Sequence, residues 1–224
     1  MTNADGPAME PDEHGARYDE KVDEYDETSI DEHEACVELV VEHARDGLVG
    51  DDGCEGGDGD EVVLDLGAGT GAIALELAED ADRVVGRDVS EGMLERAREK
   101  AQDRGITNAE FDTGRFREPN YDGPVDVITS NFAMHHVGDE GKREAIDVIG
   151  DLHPRRFVLG DLMFFGEPDP SEPYYDPSVD DPSTVGLLVD ALTNAGFVVT
   201  AVEKVHDQVG VLVADRPEFV GLDE

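Results

Sequence analysis

Lysine is scarce in this sequence. Four lysines (21, 100, 142 and 204) stand beside thirteen arginines, against 56 aspartates and glutamates, for a formal net charge of −39 over 224 residues. Acidic excess with so little lysine is the composition of proteins that work in molar intracellular salt. At roughly 1 M salt the Debye length is only about 3 Å, so repulsion among surface carboxylates is screened. In dilute buffer the same charge strains the compact state. The charge therefore points to a halophilic cytoplasm more than to a partner. It argues against an anionic membrane, and only weakly against nucleic acid, whose phosphate electrostatics molar salt suppresses anyway.

Cysteine is nearly absent too. Cys36 and Cys54 form no CxxC pair, so no zinc or redox motif is present, and a reduced chain is expected. No run approaches 18 apolar residues, which excludes a membrane helix. The opening MTNADGPAMEPDEH has neither a basic start nor an apolar stretch and does not read as a signal peptide. Enough apolar material remains for a core. Leu, Ile, Val and Phe make up about a quarter of the chain, above the roughly 20 % below which acidic chains stay unfolded.

The length favours one domain. Residues 1–16 are polar and read as disordered. A single domain is expected over 17–216. It opens with a helical cap over 17–49, in which Ser29 and Glu32 form a capping box ahead of an apolar stripe through Cys36, Val37, Val40 and Val41. An acidic glycine-rich loop follows at 50–61, and a polar tail occupies 217–224.

Between loop and tail, short apolar strands at 62–66, 83–88, 109–113, 125–131 and 156–162 alternate with helical patterns at 72–80, 90–104, 139–152 and 184–194. That alternation predicts a parallel sheet with helices on both faces. The last two strands, 197–205 and 209–215, are three residues apart and must be antiparallel. The expected fold is an α/β, Rossmann-like, doubly wound sheet of seven strands, six parallel and one antiparallel near the C-terminus.

The sharpest motif is Asp65-Leu66-Gly67-Ala68-Gly69-Thr70-Gly71-Ala72. Glycines in a strand-to-helix turn let the backbone approach a ligand, and the helix start offers free N–H groups to an anion. Asp88, at the end of the second strand, can accept hydrogen bonds from both hydroxyls of a ribose. Gly67-x-Gly69-x-x-Ala72 also satisfies the dinucleotide fingerprint. Asp65 separates the two ligand classes: a carboxylate beside this turn sits badly near a pyrophosphate and well near an ammonium. Ribose, carboxylate and ammonium together describe S-adenosylmethionine.

From about Tyr18 to Asp215 the chain resembles the class I S-adenosylmethionine-dependent methyltransferases, here as an acidic, haloarchaeal-type member. VVLDLGAGTG (62–71) resembles the family's first motif, VVGRDVSEGMLERAREKA (84–101) its second and DVITSNFAMHHV (126–137) its fourth. The resemblance implies that Gly67, Ala68, Gly69 and Gly71 line the methionine end of the cofactor, with Asp65 nearby. It implies that Asp88 and Val89 meet the ribose, that Met93 lies against the adenine, and that Asn131 and Phe132 sit beneath the methionine portion. Tyr25, in RYDEKVDEYDE, is the candidate to close over the cofactor. One position departs from the pattern. Relatives carry Gly-Asp after the third strand, where this chain has Gly114-Arg115, and arginine offers the adenine amino group no acceptor. Adenine recognition then falls to the backbone at Arg115 and Phe116, or to ring stacking.

Methyl transfer from a sulfonium needs chiefly an in-line nucleophile, so few catalytic residues need show. His135 and His136, at the mouth of the expected pocket, are the candidates for a base near neutral pH. No third residue has metal-ligand spacing with them, so no metal is expected. Asp161 reads equally as a pocket acid or a strand-end acid. Tyr174 and Tyr175 read as a lid or as anchors of a proline-rich loop, and Arg115, Arg117, Arg155 and Arg156 as salt-bridge partners before an RNA surface. The expected partner is a small-molecule methyl acceptor. RNA methylation, NAD-dependent oxidation and non-catalytic cofactor binding stay open as alternatives.

Overall fold

The structure is a computed structural model and describes residues 16, 19, 22, 31–48, 61–167 and 175–217. The disorder expected over 1–16, the 50–61 loop, Cys54, Tyr25 and Tyr174 all lie outside them, apart from Ala16 and Glu61.

Helix α1 (Asp31–Leu48) precedes strand β1 (Val62–Leu66), and then come α2 (Ala72–Leu77), β2 (Arg83–Asp88), α3 (Glu91–Arg104), β3 (Ala109–Thr113) and β4 (Val127–Asn131). A 3-10 turn (Met134–His136) leads into α4 (Asp139–Asp151), β5 (Arg156–Phe164), β6 (Ser183–Thr184), α5 (Val185–Asn194), β7 (Val198–His206) and β8 (Val209–Asp215). The main sheet runs β3-β2-β1-β4-β5-β8-β7, with β6 paired to β5 off this path. Strand β8 is antiparallel to both neighbours, β5 and β7. The strands from β3 to β5 are mutually parallel. The six-plus-one arrangement read from the sequence is therefore present, and β6 is an addition: two residues are too few to show a period.

Sequence explains most boundaries. β1 and β4 are buried at every position, as continuous apolar runs in the middle of a covered parallel sheet should be. Ser90 caps α3 by accepting a hydrogen bond from the Met93 N–H, and Gly105 ends it at φ 71°. Thr184 caps α5 through the Leu187 N–H.

The core lies in two layers. One face of the sheet carries Cys36, Val40 and Ala44 of α1 with Ile73 of α2 and Leu94 of α3; the other carries Ile146 and Ile149 of α4 with Leu188 and Leu192 of α5. Over 31–48 the segment expected as a cap is thus a core layer. The strand order turns back at β1, which has β2 on one side and β4 on the other. The crevice at the carboxyl ends of those strands is the switch point where doubly wound sheets take ligands.

Candidate functional site

The turn after β1 brings its backbone into the crevice through three left-handed glycines, Gly67 (φ 77°), Gly69 (φ 52°) and Gly71 (φ 85°). The N–H groups of Gly67 and Ala68 both donate to the carbonyl of Arg87, which ties the turn to the end of β2. At Gly67 a Cβ would run into the Cβ of Ala133, whereas at Gly69 nothing lies within 4 Å of where one would stand. Gly67 is required by packing as well as by φ. Gly69 faces open space.

Asp88 sits at the carboxyl end of β2. Its Oδ2 accepts from the Gly69 N–H at 2.8 Å and its Oδ1 from the Ser90 N–H at 2.9 Å. Burial pushes its carboxyl above the ordinary value against the pull of these N–H groups. The sequence reading missed Asp19, whose Oδ1 accepts from both the Ser90 hydroxyl (2.6 Å) and the Gly92 N–H (2.9 Å) at the start of α3.

Asp65 is 1 % exposed. Its Oδ1 accepts from the Thr129 hydroxyl at 2.8 Å, while its buried Oδ2 accepts no well-formed hydrogen bond. Burial, helped by the Asp88 carboxylate, pushes its carboxyl up to about 7, and the Thr129 hydroxyl and the Ala74 N–H only partly offset this. Across the crevice Asn131 ends β4 with its Oδ1 likewise buried and unsatisfied. A Cβ on Gly160 of β5 would strike that oxygen, so the glycine makes room for the amide. Phe132 follows at φ 49°, held in the left-handed region, with its N–H on the Gly160 carbonyl and its ring edge-on to His33 at 5.0 Å.

The 3-10 turn beyond carries His135 and His136, their rings 3.9 Å apart. His135 Nδ1 lies 2.5 Å from Asp161 Oδ1, and the His135 N–H donates to Asp161 Oδ2 at 3.1 Å. Asp161 therefore faces this turn. Asp180, ahead of β6, approaches both rings, at 2.9 Å from His136 Nδ1 and 3.7 Å from His135 Nε2. Burial, then the adjacent His135, hold the His136 imidazole below its ordinary pKa against the opposing pull of Asp180. Lys142 of α4, 1 % exposed, donates to the carbonyls of Val137 and Asp181 and so clamps the two segments together. Neither Asp180 nor Lys142 was singled out from the sequence.

A family model described as a methyltransferase domain matches residues 63–152, which hold the glycine turn, Asp88, Asn131 and both histidines. Residues 63–152 resemble a methyltransferase domain. An uncharacterized methyltransferase of Geobacillus sp. (strain WCH70) is 37 % identical over 106 residues, 46 % of this chain and 48 % of that one. The chain spans about half the length of the curated relatives it matches. The fold is shared with magnesium protoporphyrin IX methyltransferase from Synechocystis PCC 6803 with bound S-adenosylmethionine (TM-score 0.65, 20 % identity, 96 % of this chain and 100 % of that one). It is shared equally with the [4+2]-cyclase SpnF (TM-score 0.71, 18 % identity, 94 % and 98 %), so the fold alone does not name a reaction.

The crevice fits S-adenosylmethionine on its own geometry. It offers an unsatisfied buried carboxylate oxygen at Asp65, open space above Gly69, and a second carboxylate at Asp88 one strand away. The expected adenine end is less complete. Arg115 is exposed, and its N–H is spent on the Glu118 carbonyl at 2.9 Å. Gly114 is tightly packed, its missing Cβ 3.0 Å from that of Arg87. Phe116 is half-buried with its ring edge 3.8 Å from a Cβ position on Gly67, so it lies over the glycine turn. Met93 is buried and Val89 half-buried at the start of α3.

The arginines behave as ion-pair partners. Arg117 meets Glu144 at 2.7 Å, Arg155 meets Glu61 at 2.5 Å, and Arg156 grips Asp215 through two nitrogens. Tyr175 packs its ring 5.7 Å from Phe164 and anchors the end of the loop.

Proposed function

We propose that this chain is an S-adenosylmethionine-dependent methyltransferase acting on a small-molecule acceptor in a high-salt cytoplasm. The observation that carries the reading is Asp65: a buried carboxylate with one unsatisfied oxygen beside a left-handed glycine turn. A cationic ammonium would satisfy it, and a pyrophosphate would be repelled. This favours S-adenosylmethionine over NAD.

In this reading Gly67, Ala68, Gly69 and Gly71 hold the methionine end, Asp65 its ammonium, and Asp88 with Val89 the ribose. Met93, Gly114, Arg115 and Phe116 border the adenine, with the Phe116 ring in place of a side-chain acceptor. Asn131 and Phe132 form the floor under the methionine portion, and Tyr25 remains the candidate cover. When bound, the cofactor supplies an activated methyl group on a sulfonium. The protein's part is to fix the acceptor in line at roughly 3–3.5 Å and exclude water. His135 and His136 stand at the acceptor end, which the segment before β6 closes through Asp180 and the Lys142 clamp. Pairing of Arg117, Arg155 and Arg156 with carboxylates gives the RNA reading less support.

Equilibrium binding of radiolabelled S-adenosylmethionine to Asp65→Asn and Asp88→Ala tests the assignment. Loss of a hydrogen bond to a charged group weakens binding by about 10- to 100-fold. Unchanged affinity in both variants would remove the basis of the reading.

A further inference from the structure

The acceptor end holds a donor set that the cofactor does not use. Three side chains from two separated segments converge there: His135 and His136 from the turn after β4, and Asp180 from the segment before β6. One donor atom from each lies within 4.8 Å of the others. Asp180 Oδ1 is 2.9 Å from His136 Nδ1 and 3.7 Å from His135 Nε2. Donors about 2.0–2.1 Å from a tetrahedral ion sit about 3.3 Å apart, and the two measured separations bracket that value. The side chains are 6 %, 11 % and 10 % exposed, so this is an enclosed cluster rather than a surface patch of acids.

The surroundings hold the donors in place. Asp161 takes His135 Nδ1 at 2.5 Å and is itself fixed by the N–H groups of Leu162 and His135, which turns His135 Nε2 toward Asp180. A carboxylate on the far nitrogen of a ligating histidine is the usual outer support of a metal site. The Asp181 N–H donates to the His135 carbonyl at 2.7 Å, and Lys142 bonds the carbonyls that follow His136 and Asp180. The backbone on both sides of the cluster is thereby locked before any ligand arrives. Two carboxylates and two imidazoles against one ammonium leave room for added positive charge. Among the described residues no other group of three such side chains comes together.

We propose that His135, His136 and Asp180 bind one divalent transition-metal ion, with Asp161 as positioning residue. Two imidazoles and a carboxylate suit ions of the zinc, iron or cobalt type. This departs from the expectation of no metal, which rested on sequence spacing: Asp180 is too far along the chain for spacing to join it to the histidines. Resting on the methyltransferase reading, the proposal also names an acceptor class, a compound with an oxygen that coordinates the ion beside the methyl donor. Coordination lowers the pKa of such a hydroxyl, which gives its proton to water; the oxygen then forms the O–CH₃ bond as the S–CH₃ bond breaks, and S-adenosylhomocysteine leaves.

The test is a titration of the chelator-treated full chain with cobalt(II) chloride in about 2 M KCl, where non-specific binding to the acidic surface is screened. The expected result is a visible absorption band that saturates at one equivalent and is displaced by zinc. Asp180→Asn and His136→Ala should abolish the band. Asp161→Asn should weaken cobalt binding by about 10- to 100-fold while keeping the band, as loss of an outer support does. Absence of the band in the parent chain, or a band that survives both ligand substitutions, would overturn the site. Zinc displacement on the parent keeps the result decisive if a variant fails to fold. S-adenosylmethionine binding to the metal-free chain is measured alongside. Loss of the band with intact cofactor binding refutes the metal alone, and the reverse refutes the methyltransferase reading alone.

Discussion

Asp65 on β1 is tied to Thr129 on β4 by a 2.8 Å hydrogen bond to its Oδ1. The bond fixes the carboxylate at the point where the strand order reverses, and it leaves Oδ2 buried and unsatisfied. Burial there disfavours a charged Asp65, which accounts for its carboxyl standing near 7.

This has a pH signature. An ordinary aspartate titrates near 3.8, and Asp65 in the fold near 7. Between those values the folded state keeps a proton that the unfolded chain releases, so this group's contribution to stability falls as pH rises from about 4 to about 7. Asp65→Asn should therefore be more stable than the parent at pH 8, by a few kcal/mol at most, and should lose that advantage by pH 4 to 5. Thermal unfolding of both proteins across that range reads it. An advantage that does not grow with pH would mean Asp65 is not buried as a neutral acid.

Gly67 and Gly69 should separate folding from binding. Gly67→Ala adds a methyl where Ala133 already stands, at a positive φ, so a loss of about 2–4 kcal/mol is expected from strain and overpacking combined. Gly69→Ala meets nothing and should cost about 1 kcal/mol through its φ alone. It should nevertheless impair S-adenosylhomocysteine binding at least as much as the fold's other glycines. Denaturant melts and calorimetric titration of the two variants distinguish these outcomes; equal stability losses would contradict the packing assigned to Gly67.

Lys142→Met keeps the buried stem and removes the ammonium from the Val137 and Asp181 carbonyls. Each carbonyl left unsatisfied costs about 1–3 kcal/mol. The segment ahead of β6 should come loose before the sheet does. Hydrogen exchange should show faster exchange at the Asp181 and Val179 amides, with β1 and β4 unchanged. Uniform exchange changes would place Lys142 in global stability instead of in holding the segment ahead of β6.

The formal charge of −39 predicts salt dependence. The unfolding temperature should rise by at least several degrees between about 0.2 M and 3 M KCl as carboxylate repulsion is screened. A flat response would detach the composition from a high-salt cytoplasm.

Much of this was legible in the sequence because the informative residues are local. Asp65, the three glycines and Asp88 lie within one strand-turn-helix-strand unit, where spacing dictates proximity. The β-strand runs and the Ser90 cap are likewise short-range patterns. What stayed hidden depends on tertiary contact. Asp180 reaches the histidines only because β6 pairs with β5, and Ser183–Thr184 is too short to signal a strand. Lys142 looks like a surface lysine on α4 until the Asp181 carbonyl packs over it. Asp19 sits in a charged stretch, and only the fold shows that it caps α3. The Arg115 amide, expected to serve adenine, is taken by a local pairing with Glu118 that no residue type announces.

The most direct test of the central claim is thermal unfolding in about 2–3 M KCl with S-adenosylmethionine, S-adenosylhomocysteine or NAD. A ligand at about 100 times its dissociation constant adds about 2.7 kcal/mol, a shift of a few degrees for a chain of this size. The account predicts a shift with the two sulfur ligands and none with NAD, and loss of the shift in Asp88→Ala. A shift with NAD alone would contradict the role given to Asp65 and move the chemistry to hydride transfer.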